Sequence, residues 1–162
     1  MHTAYLVSVW LHLLAAMAWV GGMIFLVAVV VPLLRRPEMR EHATELLRTT
    51  GNRFRTLGWI ALTTLVVTGT FNILHRGFSF GQILSGDVFQ GQWGRVLAHK
   101  LGMVAVILVM SAVHDFWIGP TALRDPDPAR REKFRKSASI FGRVNFALAL
   151  AVVALAVTLV RG

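Results

Sequence analysis

The sequence of 162 residues contains no cysteine. This absence excludes disulfide bonds, thiolate metal ligands, cysteine nucleophiles and covalent c-type haem attachment. Acidic residues are also scarce, since only eight Asp and Glu accompany 17 Lys and Arg. No GxxxxGK[ST], GxSxG or HExxH motif occurs, and the long apolar runs contain no pair of carboxylates. The sequence therefore lacks the common residue patterns of hydrolases and of P-loop proteins.

Hydrophobic residues make up 55% of the chain, and the mean hydropathy is +0.59. A helix needs about 20 mainly apolar residues to cross a bilayer, and its backbone groups must be hydrogen-bonded within the segment. We therefore predict an all-α fold, an integral membrane four-helix bundle formed by residues 1–162 as a single domain. The predicted spans are approximately residues 4–34, 57–74, 96–118 and 144–160.

The net charge of +9 is distributed unevenly. Thirteen of the 17 Lys and Arg lie in residues 35–55 and 124–143, on either side of the two central spans. Cytoplasmic loops of membrane proteins are enriched in Lys and Arg. We therefore expect both segments to be cytoplasmic and both termini to lie on the outer, periplasmic side of a bacterial inner membrane. The charge thus indicates topology and contact with the lipid bilayer, and we expect no binding to nucleic acid.

The two basic segments carry helix signals of their own. Residues 35–55 mix six Arg with three Glu, which favours a short amphipathic helix that closes near Gly51 and Asn52. Asp127 followed by Pro128 is typical of a helix start, with Asp as the cap and Pro in the first turn. We expect the second helix to continue without a break into the fourth span.

The third span is apolar but contains ionisable residues. His99 and Lys100 lie near one end, and His114 lies near the other. Ionisable side chains inside a membrane are costly and mark functional sites by default. At about 100° per residue, the two histidines share a helical face with Met103 and Met110, within roughly 60°. The histidines are separated by about 22 Å of helix, so they cannot bind the same small ligand.

The first span contains His12, which lies about 12 Å inside the predicted outer edge. Trp19 and Met23 follow on the same helical face. His12 is either a ligand for a metal or cofactor, or a packing residue that hydrogen-bonds a neighbouring helix. Because His12 and His99 both lie in the outward half of their spans, we expect that they can bind one ligand together.

Four other polar or sulfur-containing residues have two interpretations each. Asn72, near the outer end of the second span, is expected to hydrogen-bond a neighbouring helix or to border a cofactor. His75 lies at the interface, either solvated or as a ligand. Lys100 either extends to the headgroups or pairs with an anionic group such as a carboxylate. Met103 either packs in the core or supplies a thioether, a soft ligand suited to Cu(I) or haem iron.

The motifs resemble the copper resistance D (CopD) domain family of bacterial inner-membrane proteins. The resemblance extends along nearly the whole chain through the segments LHLLAAMAWVGGMIFL, RFRTLGW, VTGTFN, WGRVLAHKLGMV, SAVHDFWIGP and FGRVN. It implies a membrane domain that handles copper. Larger members work with a periplasmic copper-binding protein, which the resemblance therefore implies as a partner.

A second resemblance is to the HemJ family of four-helix membrane proteins. It depends on His12 followed by Trp19, and on the HKL triplet at His99 followed by His114. Members of that family bind haem b and act as protoporphyrinogen oxidases. This resemblance implies haem b as the cofactor and electron transfer or porphyrinogen oxidation as the function.

Three functional hypotheses follow. In the first, the protein binds or transports copper through imidazole and thioether ligands. In the second, His12 and His99 are axial ligands of haem b, with Lys100 near a propionate. In the third, the protein is a non-catalytic accessory subunit whose polar residues serve only helix packing. Besides the lipid bilayer, the candidate partners are a periplasmic copper-binding protein, a redox partner and a second copy of the chain. The residues predicted to ligate metal are His12, His75, His99, Met103 and His114, and those predicted to contact a cofactor are His12, Trp19, Asn72, His99 and Lys100.

An absorption spectrum of the detergent-purified protein, combined with metal analysis, will distinguish these hypotheses. Copper handling predicts a protein without a Soret band that retains copper. A Soret band with sharp reduced α and β bands, near one haem per chain, would instead establish the haem b hypothesis. A protein with neither group, purified without chelators, would favour the accessory subunit.

Overall fold

The structure, a computed structural model, describes residues 2–161, and in this range every regular element is helical. We number the α-helices α1 to α5, and two short 3₁₀ turns, Pro37–Met39 and Asp87–Phe89, lie between them. The α-helices are α1 (His2–Leu34), α2 (Arg40–His75), α3 (Phe80–Ser85), α4 (Gly91–Val113 continued by His114–Ile118 and Gly119–Arg124) and α5 (Pro128–Arg161).

Four of these helices, α1, α2, α4 and α5, are long and apolar enough to cross a membrane. Their candidate spans contain 33, 35, 32 and 32 residues, more than the roughly 20 that the hydrocarbon core requires. The predictions of an all-helical chain and of four spans are confirmed. The protein is therefore a multi-pass membrane protein.

The chain divides into two compact units, of which the first ends at Phe80 and the second begins at Gly81. In the first unit α1 packs along α2. Trp19 of α1, only 7% exposed, reaches the backbone of α2, where its Nε1 lies 3.7 Å from the position that a Cβ on Gly58 would occupy. The indole ring thus packs against the backbone of α2 at Gly58.

In the second unit α4 packs against α5. Ile107 of α4 and Ala149 of α5 are each 1% exposed and belong to the buried core of this unit. Beside them, Asn145 Nδ2 donates a hydrogen bond to Ser111 Oγ across 3.1 Å. An amide–hydroxyl bond between spanning helices contributes about 0.6 kcal/mol on average, so it fixes the alignment of the helices more than their stability.

Two spanning helices contain a proline, and in each a π-helical turn, which is wider than an α-helical turn, comes just before it. Leu26–Val30 in α1 and His114–Ile118 in α4 are π-helical turns, and each ends two residues before a proline, Pro32 and Pro120 respectively. A proline ring clashes with the carbonyl four residues earlier and cannot donate to it. The extra residue in a π turn moves that carbonyl away, so the helix is not broken.

The predicted break at Gly51 and Asn52 is wrong, because α2 runs without interruption from Arg40 to His75. Gly51 has no left-handed backbone conformation that would end a helix, unlike Gly77 just beyond its end, where φ is 94°. A glycine inside a helix costs only about 1 kcal/mol, which the continuous hydrogen-bonding of α2 outweighs. The amphipathic segment and the second span are therefore one helix.

The predicted start of α5 is confirmed. Asp127 Oδ1 accepts a hydrogen bond from the backbone N–H of Ala129 at 2.9 Å, and Pro128 is the first helical residue. The helix then extends to Arg161 as one element. The basic segment and the fourth span are thus joined as predicted.

Replacing Gly94 with alanine tests the packing at the start of α4. An added Cβ would meet the backbone of Phe89 and would lie 2.7 Å from the carbonyl oxygen of Val88, which cannot move aside as a flexible side chain could. We expect Gly94→Ala to destabilise the protein by about 1–3 kcal/mol, measured by thermal unfolding in detergent.

The matched control is Gly102→Ala in the same helix, where an added Cβ would meet nothing within 4 Å. This control should unfold at or slightly above the wild-type temperature, because alanine favours helices. Equal melting temperatures for the two variants would contradict the described packing.

Candidate functional site

His12 contacts α2 at Thr68 and Gly69. Its Nδ1 lies 2.8 Å from Thr68 Oγ1, and its Cε1 lies 3.4 Å from the position that a Cβ on Gly69 would occupy. The ring is half-buried, and Thr68 is only 7% exposed. A hydroxyl both donates and accepts hydrogen bonds, so the contact alone leaves the proton position open. A hydrogen bond between His12 and a neighbouring helix, one of the two alternatives considered for this residue, is therefore present.

Further polar groups lie along the same contact between α1 and α2. Ser8, one turn before His12, donates to the backbone oxygen of Thr68 at 3.4 Å. Asn72, one turn after Thr68, is half-buried, and its Oδ1 accepts no hydrogen bond from the residues that the structure describes. We call Ser8, His12, Thr68 and Asn72 the α1–α2 polar cluster. It concentrates hydrogen-bonding groups on one part of an otherwise apolar helix pair.

His75 lies in an aromatic stack at the end of α2. Its ring is stacked on Tyr5, with centroids 4.6 Å apart and planes 13° apart, and Phe71 lies on the same helix at 6.1 Å. The stack is seven residues from the His12–Thr68 contact on both helices, about 10 Å along the axis. His75 and His12 are thus too far apart to ligate one ion, and the Tyr5–His75 stack is a contact between α1 and α2.

His99 in α4 is oriented by the backbone of its own helix. Its Nδ1 lies 2.7 Å from the carbonyl oxygen of Arg95, which can only accept. Nδ1 must therefore carry a proton, and in the neutral ring the lone pair is on Nε2. The exposed ring lies one turn from the half-buried Met103, and residues four apart share a helix face. Lys100, the next residue, is half-buried.

His114 opens the π turn of α4 and pairs with its neighbour. Its Nδ1 lies 2.9 Å from Asp115 Oδ1, and the two side chains are 36% and 19% exposed. An ionised carboxylate only accepts, so His114 Nδ1 donates, as at His99. A carboxylate that holds the second nitrogen of an imidazole is a common arrangement around metal-ligating histidines.

An apolar groove of about 360 Å³ runs between α1 and α2. Trp19 lines it together with small and alkyl side chains, whereas His12 does not belong to its lining. The two residues predicted to contact one cofactor therefore lie at different parts of the α1–α2 contact. The small residues Ala15, Ala18, Gly22, Gly58 and Ala61 line this groove.

The described residues contain no group of three or more His, Asp or Glu side chains arranged to hold a metal ion. Sequence reasoning missed Thr68 as a residue of the candidate site. Nothing in the sequence identified it as the partner of His12, which lies 56 residues away along the chain.

The sequence profile of the CopD family, described as Copper resistance protein D, matches residues 48–159. The chain belongs to the CopD family. The matched range includes Thr68, His99, Met103 and His114, whereas His12 precedes it. The predicted CopD resemblance is thus confirmed, and the HemJ resemblance stays a prediction.

An uncharacterized protein of Aquifex aeolicus (strain VF5) is 34% identical to this chain over 154 residues. The similarity covers 94% of this chain and 92% of that protein. No solved structure matches. The relative therefore has almost the same length as this CopD protein, and its description names no function.

The aromatic stack predicts that His75 can be replaced without loss of metal binding. His75→Phe keeps a ring against Tyr5 and should leave both the unfolding temperature and copper retention unchanged. His75→Ala removes the stack and should cost about 0.5–1.5 kcal/mol of stability in a thermal melt. Loss of copper from a stable His75→Phe protein would instead make His75 a ligand.

Proposed function

We propose that this CopD-family protein handles copper as its cargo, through imidazole and thioether ligands inside the membrane. The observation that carries the proposal is the hydrogen-bonding of the intramembrane histidines. His99 and His114 each donate from Nδ1 to an acceptor, so Nε2 of each ring is the atom suited to a metal. Membership of a family described by copper resistance supports copper as the metal.

The ligand set matches copper chemistry. The chain has no cysteine, so thiolates are excluded, and the soft donors are its six methionines. Met103 lies one helical turn from His99, where a thioether and an imidazole can reach one ion. Imidazole suits both copper oxidation states, whereas thioether favours Cu(I). We propose His12 as one copper ligand and the His99–Met103 pair as others.

The charge distribution supports an orientation for this handling. We infer an inner-membrane protein whose basic segments face the cytoplasm and whose termini face outward. Ten of the thirteen basic residues of these segments lie in the N-terminal halves of α2 and α5, which are longer than the hydrocarbon core needs. In this orientation His12 and His99 belong to the outward halves of their helices, and His114 belongs to the inward half of α4.

Haem b is a weaker proposal for the same residues. The groove that would admit a flat ring between α1 and α2 does not include His12. An imidazole that donates from Nδ1 would also suit haem iron. Haem therefore remains an outcome that the experiment must distinguish.

Substitution of the proposed ligands tests copper handling directly. Detergent-purified protein is loaded with Cu(I) anaerobically and titrated with a competing chelator. His12→Ala and His99→Ala should each weaken copper binding more than about tenfold. Removing the hydrogen-bond partner of a ligating histidine already weakens metal binding by about tenfold or more, and removing the histidine itself should weaken it at least as much. Met103→Leu should weaken Cu(I) binding more than Cu(II) binding, since it removes only a soft donor.

The matched control is His42→Ala, which removes an exposed histidine of α2 that belongs to none of these groups. It should retain wild-type copper affinity. Equal affinity in all four variants would refute the proposed ligands. If the purified protein carries haem and the His12→Ala variant loses it, haem b would take the place of copper in the proposed function.

A further inference from the structure

We propose that Thr68 is a positioning residue that selects which nitrogen of His12 binds the metal. By this inference Thr68 holds the proton of His12 on Nδ1 and leaves the lone pair on Nε2. The assignment of the proton depends only on the hydrogen-bond geometry. Its consequence for copper affinity rests on the function proposed above.

The hydroxyl hydrogen of Thr68 is already used in a bond to its own helix. Thr68 Oγ1 lies 2.6 Å from the backbone oxygen of Thr64. Two oxygens approach this closely only when a hydrogen lies between them, and a carbonyl has none to give. The next acceptor, the backbone oxygen of Leu65 at 3.5 Å, is also a carbonyl. Thr68 therefore donates to the backbone of α2.

A hydroxyl has one hydrogen, so Thr68 presents only lone pairs to His12. The 2.8 Å separation from His12 Nδ1 is then favourable only if Nδ1 carries the proton. With the opposite tautomer, two lone pairs would face each other in a site of low dielectric, where such repulsion is costly. His12 therefore donates, and Nε2 becomes its metal-binding atom.

Burial prevents water from replacing this arrangement. Thr68 is 7% exposed, and its bond to the carbonyl four residues earlier fixes its side-chain rotamer. A Cβ on Gly69 would lie 3.4 Å from His12 Cε1, at van der Waals contact, so the imidazole lies close to the backbone of α2. The hydrogen bond to Thr68 thus orients an imidazole that packs against this helix.

The same proton position occurs at the other two intramembrane histidines. His99 donates to a backbone carbonyl, and His114 donates to a carboxylate. At His12 the acceptor is a hydroxyl, which cannot donate to His12 because its one hydrogen is donated to the backbone oxygen of Thr64. Three different partners therefore leave Nε2 as the ligand atom in all three rings.

Nitrogen NMR of the metal-free protein tests the assignment without any assumption about copper. Protein labelled with ¹⁵N-histidine is measured at a pH where imidazole is neutral, and the His12 signals are identified by their loss in His12→Gln. We expect a protonated Nδ1 and an unprotonated Nε2 in the wild type and in Thr68→Ser. Thr68→Val removes the acceptor, and we expect a mixture of tautomers.

Wild-type protein with the proton on Nε2 would overturn the inference, whether or not Thr68→Val folds. An unchanged tautomer in a folded Thr68→Val would also overturn the role of Thr68. Copper titration of the same proteins should show a loss of about 10–100-fold in Thr68→Val and recovery in Thr68→Ser. If the tautomers are as expected but the wild type binds no copper, the proposed function fails while the assignment to Thr68 stands.

Discussion

The hydrocarbon core of a membrane offers no water, so each polar group within it needs a partner from the protein. The backbone meets this requirement by forming helices, which accounts for four long helices. Polar side chains meet it by bonding to helix carbonyls or to a facing helix. Thr68 does both, since it donates to Thr64 and contacts His12, while His99 bonds the carbonyl of Arg95. The orientation of the histidines thus follows from the same constraint as the fold.

This constraint also connects the architecture with the proposed chemistry. A neutral imidazole in lipid must donate from one nitrogen, and the nitrogen that donates determines which one can bind a metal. His12 and Ser8 both bond Thr68 at the α1–α2 contact, whereas the apolar groove that includes Trp19 has a different lining. One helix pair therefore has a polar part, which contains the proposed ligand His12, and an apolar part lined by alkyl and small side chains.

Where prediction and structure differ, local rules were outweighed by the continuity of helices. Gly51 and Asn52 are common helix terminators, yet α2 passes through them because a single glycine costs little. Pro32 and Pro120 were visible in the sequence, but the π turns that precede them were not predicted. A proline can end a helix or widen it, and in lipid an interrupted helix would leave backbone groups without partners.

The sequence by itself determined the four spans, the cap at Asp127 and membership of the CopD family, because these depend on composition and on neighbours within a few residues. It also located the intramembrane histidines. Only the tertiary structure decided that His12 faces Thr68 and that His75 stacks on Tyr5. Such contacts depend on the rotation and axial alignment of two helices. Helical periodicity defines the faces of each helix separately, but side-chain packing selects which faces meet and at what level.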